Sequence, residues 1–261
     1  MIGFVGGGKM AEALIKGLVS HGNSNICVSD RLEERRCFLE RTYNIKTTAM
    51  NADVVALCDL IILAVKPQDM PDLLDEITSV VTEKKVIVSI AAGLTLDFFK
   101  KKLRTKKIIR VMPNIPVIVQ EGFCAMSFDD HVDSVDIALV TDLISTVGSY
   151  AILPEEQMNA ISALSGCGPA FISLFVESLI HAGGQMGIDK DVAHVAAVQT
   201  LVGTAKLICD GMSPEALRVM VTSPGGMTAA GLADFEKNGL KDIVVQALCA
   251  AQKKGVELGN K

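Results

Sequence analysis

The chain has 261 residues, 49% of them hydrophobic, with a formal net charge of −5 and a mean hydropathy of +0.39. Its charges are interspersed rather than gathered in a basic stripe, Trp is absent and only two Tyr occur, so no nucleic-acid partner is expected. Seven scattered cysteines without a C-x-x-C pair, no signal peptide and no uninterrupted apolar run of roughly 18 residues argue against a disulfide framework, a metal site or a membrane span, and for the cytoplasm.

Ile2 to Val5 is a short apolar run, followed by Gly6-Gly7-Gly8-Lys9-Met10-Ala11 and then by apolar positions at helical spacing through Val19. Strand, glycine turn and helix in that order match the dinucleotide fingerprint G-x-G-x-x-A. Gly6 serves the tight turn, Gly8 the approach of a pyrophosphate and Ala11 the close packing of helix on strand. A second strand, Ile26 to Ser29, ends in Asp30, where this fold places the group that meets the adenosine ribose. Asp30 suits a 2′-hydroxyl and the neighbouring Arg31 a 2′-phosphate, so NADH and NADPH both stay open. Asn51 reads as a helix cap within reach of the same ribose.

Further apolar runs at Leu60 to Val65, Val86 to Ile90 and Lys107 to Met112 end in Lys66-Pro67, Ala91-Ala92-Gly93 and Pro113-Asn114. Continuous Val/Ile/Leu runs alternating with helical segments predict a doubly wound parallel sheet, with ligands outside the carboxyl ends of its strands. Val65, Lys66, Ala92 and Asn114 fall on that side. The cluster Lys100 to Lys107 reads as a solvated helix end. Phe123 to Phe128, Val132 to Thr146 and Tyr150 to Leu153 add a strand, a helix and a strand.

After Pro154 the pattern becomes wholly helical. Ser165-Gly166-Cys167-Gly168-Pro169-Ala170 reads as a glycine-bearing turn into a helix, Ala170 to Gly187, that is apolar nearly all round over Ala170 to Ala182 and therefore expected to be buried on every side, with help from a partner chain. The four histidines, 21, 131, 181 and 194, read as structural or surface residues. Val221-Thr-Ser-Pro-Gly-Gly-Met-Thr228 then opens the helix Met227 to Lys237. Its two glycines leave amides at Gly225, Gly226 and Met227 free to face an anion at a positive helix mouth, with hydroxyls at Ser223 and Thr228. A small carboxylate fits that chemistry.

Taken together these residues resemble the pyrroline-5-carboxylate reductase family. The resemblance rests on Gly6 to Met10, Ala64-Val-Lys-Pro67, Ser89 to Gly93, Met112-Pro-Asn114, Ser165 to Ala170 and Val221 to Gly226, the last two being the specific ones. It implies an α/β fold, an N-terminal Rossmann domain over 1–154 followed by an all-helical dimerisation domain over 155–261. It also implies reduction of L-1-pyrroline-5-carboxylate to L-proline with NADPH or NADH, a homodimer, and in some members a larger ring of dimers. Carried over by resemblance, the substrate contacts are Ser223, Gly225, Gly226, Met227, Thr228 and Glu155. The cofactor contacts are Gly6, Gly8, Lys9, Met10, Asp30, Arg31, Asn51, Ala64, Val65, Lys66, Pro67, Ala92, Asn114 and Cys167. Cys167 stands where similar proteins usually have serine, Met227 where a smaller residue is common, and Val219-Met220 replaces a polar pair.

The chemistry agrees independently. A cyclic imine that arrives protonated needs only a hydride at carbon, so positioning suffices and Thr228 is assigned to orient the ring nitrogen. A 3-hydroxyacid dehydrogenase resembles this layout but uses a lysine at the place held here by Ile172. A nucleotide-binding sensor without turnover has no use for a second anion-binding mouth.

Overall fold

The computed structural model describes residues 1–259. The chain forms two compact units, Met1–Cys167 joined by the chain from Ala251 onward, and Gly168–Ala250. In the first unit strands and helices alternate: β1 (Ile2–Val5), α1 (Lys9–Ser20), β2 (Ile26–Ser29), α2 (Glu33–Tyr43), β3 (Lys46–Thr48), α3 (Asn51–Leu57), β4 (Leu60–Leu63), α4 (Met70–Ile77), β5 (Val86–Ser89), α5 (Leu96–Lys102) and β6 (Ile108–Pro113). β7 (Gly122–Phe128), α6 (Ser134–Ser145) and β8 (Gly148–Ile152) complete an eight-stranded sheet in the order β3-β2-β1-β4-β5-β6-β7-β8. Ligation of strand by crossover helix explains the apolar runs, because both faces are covered. Phe4, Ile62, Val88 and Val111 pack with α1 and α6 on one face, and Val5, Ile61, Ile87 and Ile108 with α3, α4 and α5 on the other.

The expected parallel sheet holds through β6, and then the direction reverses. β7 runs antiparallel to β6, pairing Arg110 with Ser127 and Met112 with Ala125, and β8 runs parallel to β7. The connection from Asn114 to Glu121 holds only a 3-10 turn over Ile115–Val119, and a parallel return needs about a dozen residues or more. β3, a half-buried three-residue edge strand, was not expected from the sequence either. Lys100 and Lys107 are ion-paired rather than merely solvated: Lys100 meets Asp129, and the Lys107 amine lies 2.7 Å from Asp133 and 2.6 Å from Asp136.

A 3-10 turn at Glu155–Gln157, α7 (Met158–Ile161) and a π-helical stretch at Ser162–Gly166 follow. Met158 and Ala163 are buried, and the segment packs on β6 and β7, which is why the compact units part at Cys167 and not at the end of the last strand.

The second unit contains α8 (Gly168–Gln185), α9 (Lys190–Cys209), α10 (Pro214–Met220), α11 (Met227–Lys237) and most of α12 (Leu240–Gly259). Its local signals are ordinary. Asp189 caps α9 by accepting from Asp191 N at 3.0 Å, and Ser213 caps α10 by accepting from Ala216 N at 3.1 Å, with Pro214 in the first turn. Gly183 lets α8 approach α9, since a Cβ there would lie 2.9 Å from the Ala193 Cβ. Its core is nearly absent, however. Only Gly183, Ala193 and Ala197 are buried among these residues, while Leu174 is 63% exposed. The sequence expectation of no membrane-length segment counted unbroken runs. With a few charges allowed, the helix Glu155–Gln185 and α9 are both long and apolar enough to cross a membrane.

Gly148 takes φ +140°, and a Cβ there would fall 2.0 Å from the Gly122 carbonyl oxygen, at the point where β7 and β8 begin to pair. Gly148→Ala is expected to cost about 3 kcal/mol or more in urea unfolding followed by circular dichroism.

Candidate active site

In the parallel part of the sheet, Val5 is level with Ser29 and Leu63, and Leu63 with Ser89, so the segments that follow these strands lie along one edge. The glycine turn after β1 divides its work among three residues. Gly6 sits at φ +96°, and a Cβ there would lie 3.1 Å from the Ala64 carbonyl, so the chain closes on β4 only as glycine. A Cβ at Gly7 would meet Leu39 at 2.8 Å; this packing role went unnoticed in the sequence. Gly8 is the cap of α1 with no side-chain bond to the helix, and nothing lies within 4 Å of where its Cβ would be. Uncapped amides and open space before a 12-residue helix form a cradle for a phosphate anion. Ala11 is fully buried, which lets α1 lie close on the sheet.

Asp30 lies where the sequence placed it, but its carboxylate is engaged by the chain. Oδ2 accepts from the Gly7 amide at 2.9 Å and Oδ1 from the Leu32 amide at 2.9 Å. Arg31 is exposed beside it, while Lys9 is exposed and Met10 half-buried at the start of α1. A clamp the sequence reading missed surrounds the turn: the Arg35 guanidinium donates to the Gly7 carbonyl and pairs with Glu12 at 2.6 Å, and Tyr43 donates to Glu12 at 3.1 Å. Burial pushes the Glu12 carboxyl up, but Arg35 and Tyr43 together outweigh it and hold Glu12 below its ordinary value. Asn51 does not cap α3. Met50 occupies the cap position, Asn51 is the first helical residue, and its amide donates to Glu76 at 2.9 Å. Val65 and Ala64 pack against the Gly6 turn, Lys66 is exposed ahead of the 3-10 turn that begins at half-buried Pro67, and Ala92 is exposed after β5.

β6 carries one polar side chain, Arg110, on a face continued by Met112 and, beyond the strand, Asn114. Arg110, 2% exposed, donates to Glu155 Oε1 at 2.8 Å, and the same oxygen accepts from the Leu96 amide at 3.2 Å. Glu155 Oε1 is thus engaged within the first unit, while its Oε2 has no protein partner among the described residues. Two residues on, Met112 underlies Gly166, where a Cβ would come within 3.2 Å of its methyl. Two further on, the Asn114 amide is spent: its Oδ1 accepts from Phe123 N at 2.8 Å and its Nδ2 donates to the Ser165 carbonyl and hydroxyl at 3.3 and 3.1 Å.

The expected turn at Ser165 to Pro169 is instead a π-helical stretch, Ser162–Gly166, running into α8. Cys167 donates to the Ser162 carbonyl at 3.1 Å, a five-residue step. Pro169 has no amide to offer Ser165, so the Ser165 carbonyl turns to Asn114. Asn114 is a brace rather than a free cofactor donor. Cys167 is half-buried, and Gly168 has open space over its α-carbon.

The second helix mouth lies in the second unit. Gly225 takes φ +70°, Gly226 is the cap of the 11-residue α11, and no side chain bonds the helix start. The Gly226 amide does not face out as expected, because it donates to the Ser223 carbonyl at 3.0 Å and closes the turn. Among the described residues, the amides of Gly225, Met227, Thr228 and Ala229 donate to nothing. Ser223 and Thr228 are exposed and Met227 is 94% exposed.

A 3-2-1-4-5-6 strand order, a glycine turn opening the first helix and an appended helical unit are the marks of a nicotinamide-nucleotide oxidoreductase of the Rossmann class. The family model for pyrroline-5-carboxylate reductase dimerisation matches residues 155–258, and that for NADP oxidoreductase, coenzyme F420-dependent, matches residues 1–93. The chain is 37% identical to pyrroline-5-carboxylate reductase 3 of Rattus norvegicus over 100% of its own length and 96% of the relative's. It is 34% identical to pyrroline-5-carboxylate reductase of Synechocystis over 100% and 98%. The solved pyrroline-5-carboxylate reductase of Coxiella burnetii superposes with a TM-score of 0.94 at 33% identity, covering 98% of this chain and 97% of that one. The Plasmodium falciparum enzyme, solved with NADP bound, superposes with a TM-score of 0.85 at 31% identity over 99% and 97%. The chain belongs to the pyrroline-5-carboxylate reductase family.

The glycines separate fold from binding. Gly6→Ala is expected to lower stability by about 2 to 4 kcal/mol. Gly8→Ala should stay within about 1 kcal/mol of the parent in thermal unfolding yet weaken nucleotide binding about tenfold or more in a fluorescence titration.

Proposed function

We propose that the chain reduces the C=N bond of L-1-pyrroline-5-carboxylate to give L-proline, with the imine's carboxylate held by the α11 mouth and its ring nitrogen oriented by Thr228. NADPH or NADH, held at the Gly6–Gly8 cradle and along the edge carrying Val65, Lys66 and Ala92, supplies the hydride. The observation that carries the reading is the second helix mouth, whose Gly225, Met227, Thr228 and Ala229 amides have no partner among the described residues while Gly226 closes the turn behind them. Free peptide N–H groups at a positive helix end favour a carboxylate, and Ser223 and Thr228 add hydroxyls on either side. The reaction balances as two electrons and one hydrogen delivered to the imine carbon as hydride, and one proton that the ring nitrogen already carries in the iminium form. Nothing in the chain has to shuttle that proton. We keep the helical part, from residue 155, as a dimerisation domain, which the family match over 155–258 supports. A second copy, rather than lipid, is the cover we assign to α8 and α9, and the cytoplasm the location that free Cys27, Cys37, Cys58, Cys124, Cys167, Cys209 and Cys249 favour.

Purified protein mixed with the imine and either reduced nucleotide should oxidise it rapidly and only when the imine is present, read by nucleotide absorbance; imine-independent oxidation or none would end the reading. Thr228→Ala should lower kcat/KM by about 10- to 150-fold, equivalent to about 1.5 to 3 kcal/mol of transition-state stabilisation. Unchanged kinetics would remove Thr228 from the mechanism. For the assembly, Leu174→Asp on the open face of α8 should abolish the dimer in sedimentation velocity and, with it, cooperative unfolding of the helical unit.

A further inference from the structure

The buried polar atoms without a protein partner among the described residues are Arg110 Nε and Nη2, Ser127 Oγ and Glu155 Oε2, and they belong to one cluster. Arg110 and Ser127 face each other across β6 and β7, and Glu155 reaches Arg110 from the segment after β8. A buried ion pair is a poor source of stability, and one that leaves this many donors and acceptors without protein partners is costly to keep. Its geometry shows what it holds. Glu155 Oε1, fixed by Arg110, accepts from the Leu96 amide, the first of α5. The turn from β5 to α5 is therefore pinned at both ends. At its start, Ile90 donates to the Leu63 carbonyl at 3.2 Å and Ala91 to the Ser89 hydroxyl at 3.3 Å. At its end stand Glu155 and the cap Thr95, which accepts from Phe98 N at 3.3 Å. Between the pins, Gly93 takes φ +81° and Ala92 is held out to solvent at the carboxyl edge of the sheet.

We infer that Arg110 is a positioning residue for the cofactor: acting through Glu155 and the Leu96 amide, it sets the β5–α5 turn on which the nicotinamide ribose rests. Glu155 serves that turn and does not touch the imine. The inference rests on the proposed activity only for its kinetic readout, since nucleotide binding is measured without turnover.

The experiment titrates NADPH and NADH into the full-length protein by nucleotide fluorescence, and measures KM for the imine at saturating nucleotide and the unfolding midpoint. The variants are Arg110→Lys, Glu155→Gln and their double. Each single change should raise the nucleotide dissociation constant about tenfold or more while the imine KM stays within twofold, and the double should be no worse than the weaker binder of the two, because both act on one link. Leu96→Pro against Leu96→Ala isolates the hydrogen bond. Proline is tolerated in the first helical turn and removes the amide that Glu155 holds, whereas alanine keeps it, so only the proline variant should lose nucleotide affinity beyond the shared loss of the leucine side chain. A raised imine KM for Glu155→Gln with unchanged nucleotide binding would return Glu155 to the substrate and overturn the inference. Lower unfolding midpoints with unchanged nucleotide binding in every variant would reduce the cluster to a structural one and overturn it equally. Should the parent bind nucleotide yet fail to reduce the imine, the activity reading fails while the binding arms still decide the role of Arg110.

Discussion

A helical unit whose buried residues are a glycine and two alanines has not separated its apolar surface from water, and the behaviour of the second half of this chain follows from that. Along α8 and α9 the large side chains Ile172, Leu174, Phe175, Val195 and Val198 stand open in the single copy. Burying a side chain of that size is worth about 1.5 to 3 kcal/mol, so covering a few is comparable with the marginal stability of a typical domain. On the proposed dimer, assembly is then a condition of folding for this unit and not an addition to it. Because α11 belongs to the same unit, the proposed substrate site exists to the extent that the proposed assembly does.

The first unit is built on the opposite terms. Its sheet is covered on both faces, Phe4, Leu14, Ile62 and Phe99 are fully buried, and its ligand edge is held by bonds internal to the unit. Here polar groups hold backbone in place rather than wait for ligands. Asp30 ties the glycine turn to the end of β2, Arg35 ties it to α2, and Asn114 takes up the carbonyl that Pro169 leaves without a helical partner. Beside the exposed side chains of Lys9, Arg31 and Lys66, what remains free is backbone: the start of α1, the open α-carbon of Gly8 and the exposed Ala92 turn. A cradle of peptide groups suits a large, charged nucleotide, since it offers hydrogen bonds without side chains that would have to be desolvated and ordered on each binding event.

Elements with strong local causes could be read from residues alone. Continuous apolar runs gave β1 and β2 their observed bounds, and the Pro-Gly-Gly signal placed the start of α11 at Met227 because glycine caps and positive φ are local properties. Features set by distant partners could not. Asn51 and Asn114 have the chemistry of a cap and of a ligand donor, but Glu76, Phe123 and Ser165 claim their amides, and no spacing in the chain announces those meetings. The reversal at β7 depends on the length of one connection. Arg110 did leave a trace: a guanidinium inside Ile-Ile-Arg-Val-Met, a run otherwise fit for burial, demands a buried counter-charge, and Glu155 supplies it.

The proposed division of labour also explains why the substrate side can be so plain. From Val219 to Ala233, between Arg218 and Asp234, the chain has no ionisable side chain, so the mouth of α11 offers dipoles and hydroxyls but neither acid nor base. An alcohol oxidation at such a place would stall for want of a proton acceptor. An iminium carboxylate brings its own proton and its own anchor, and its positive ring nitrogen is neutralised as the hydride arrives. The catalytic demand is then on distance and angle, which fixed backbone groups meet better than a titrating side chain whose charge would have to be reset after each turnover.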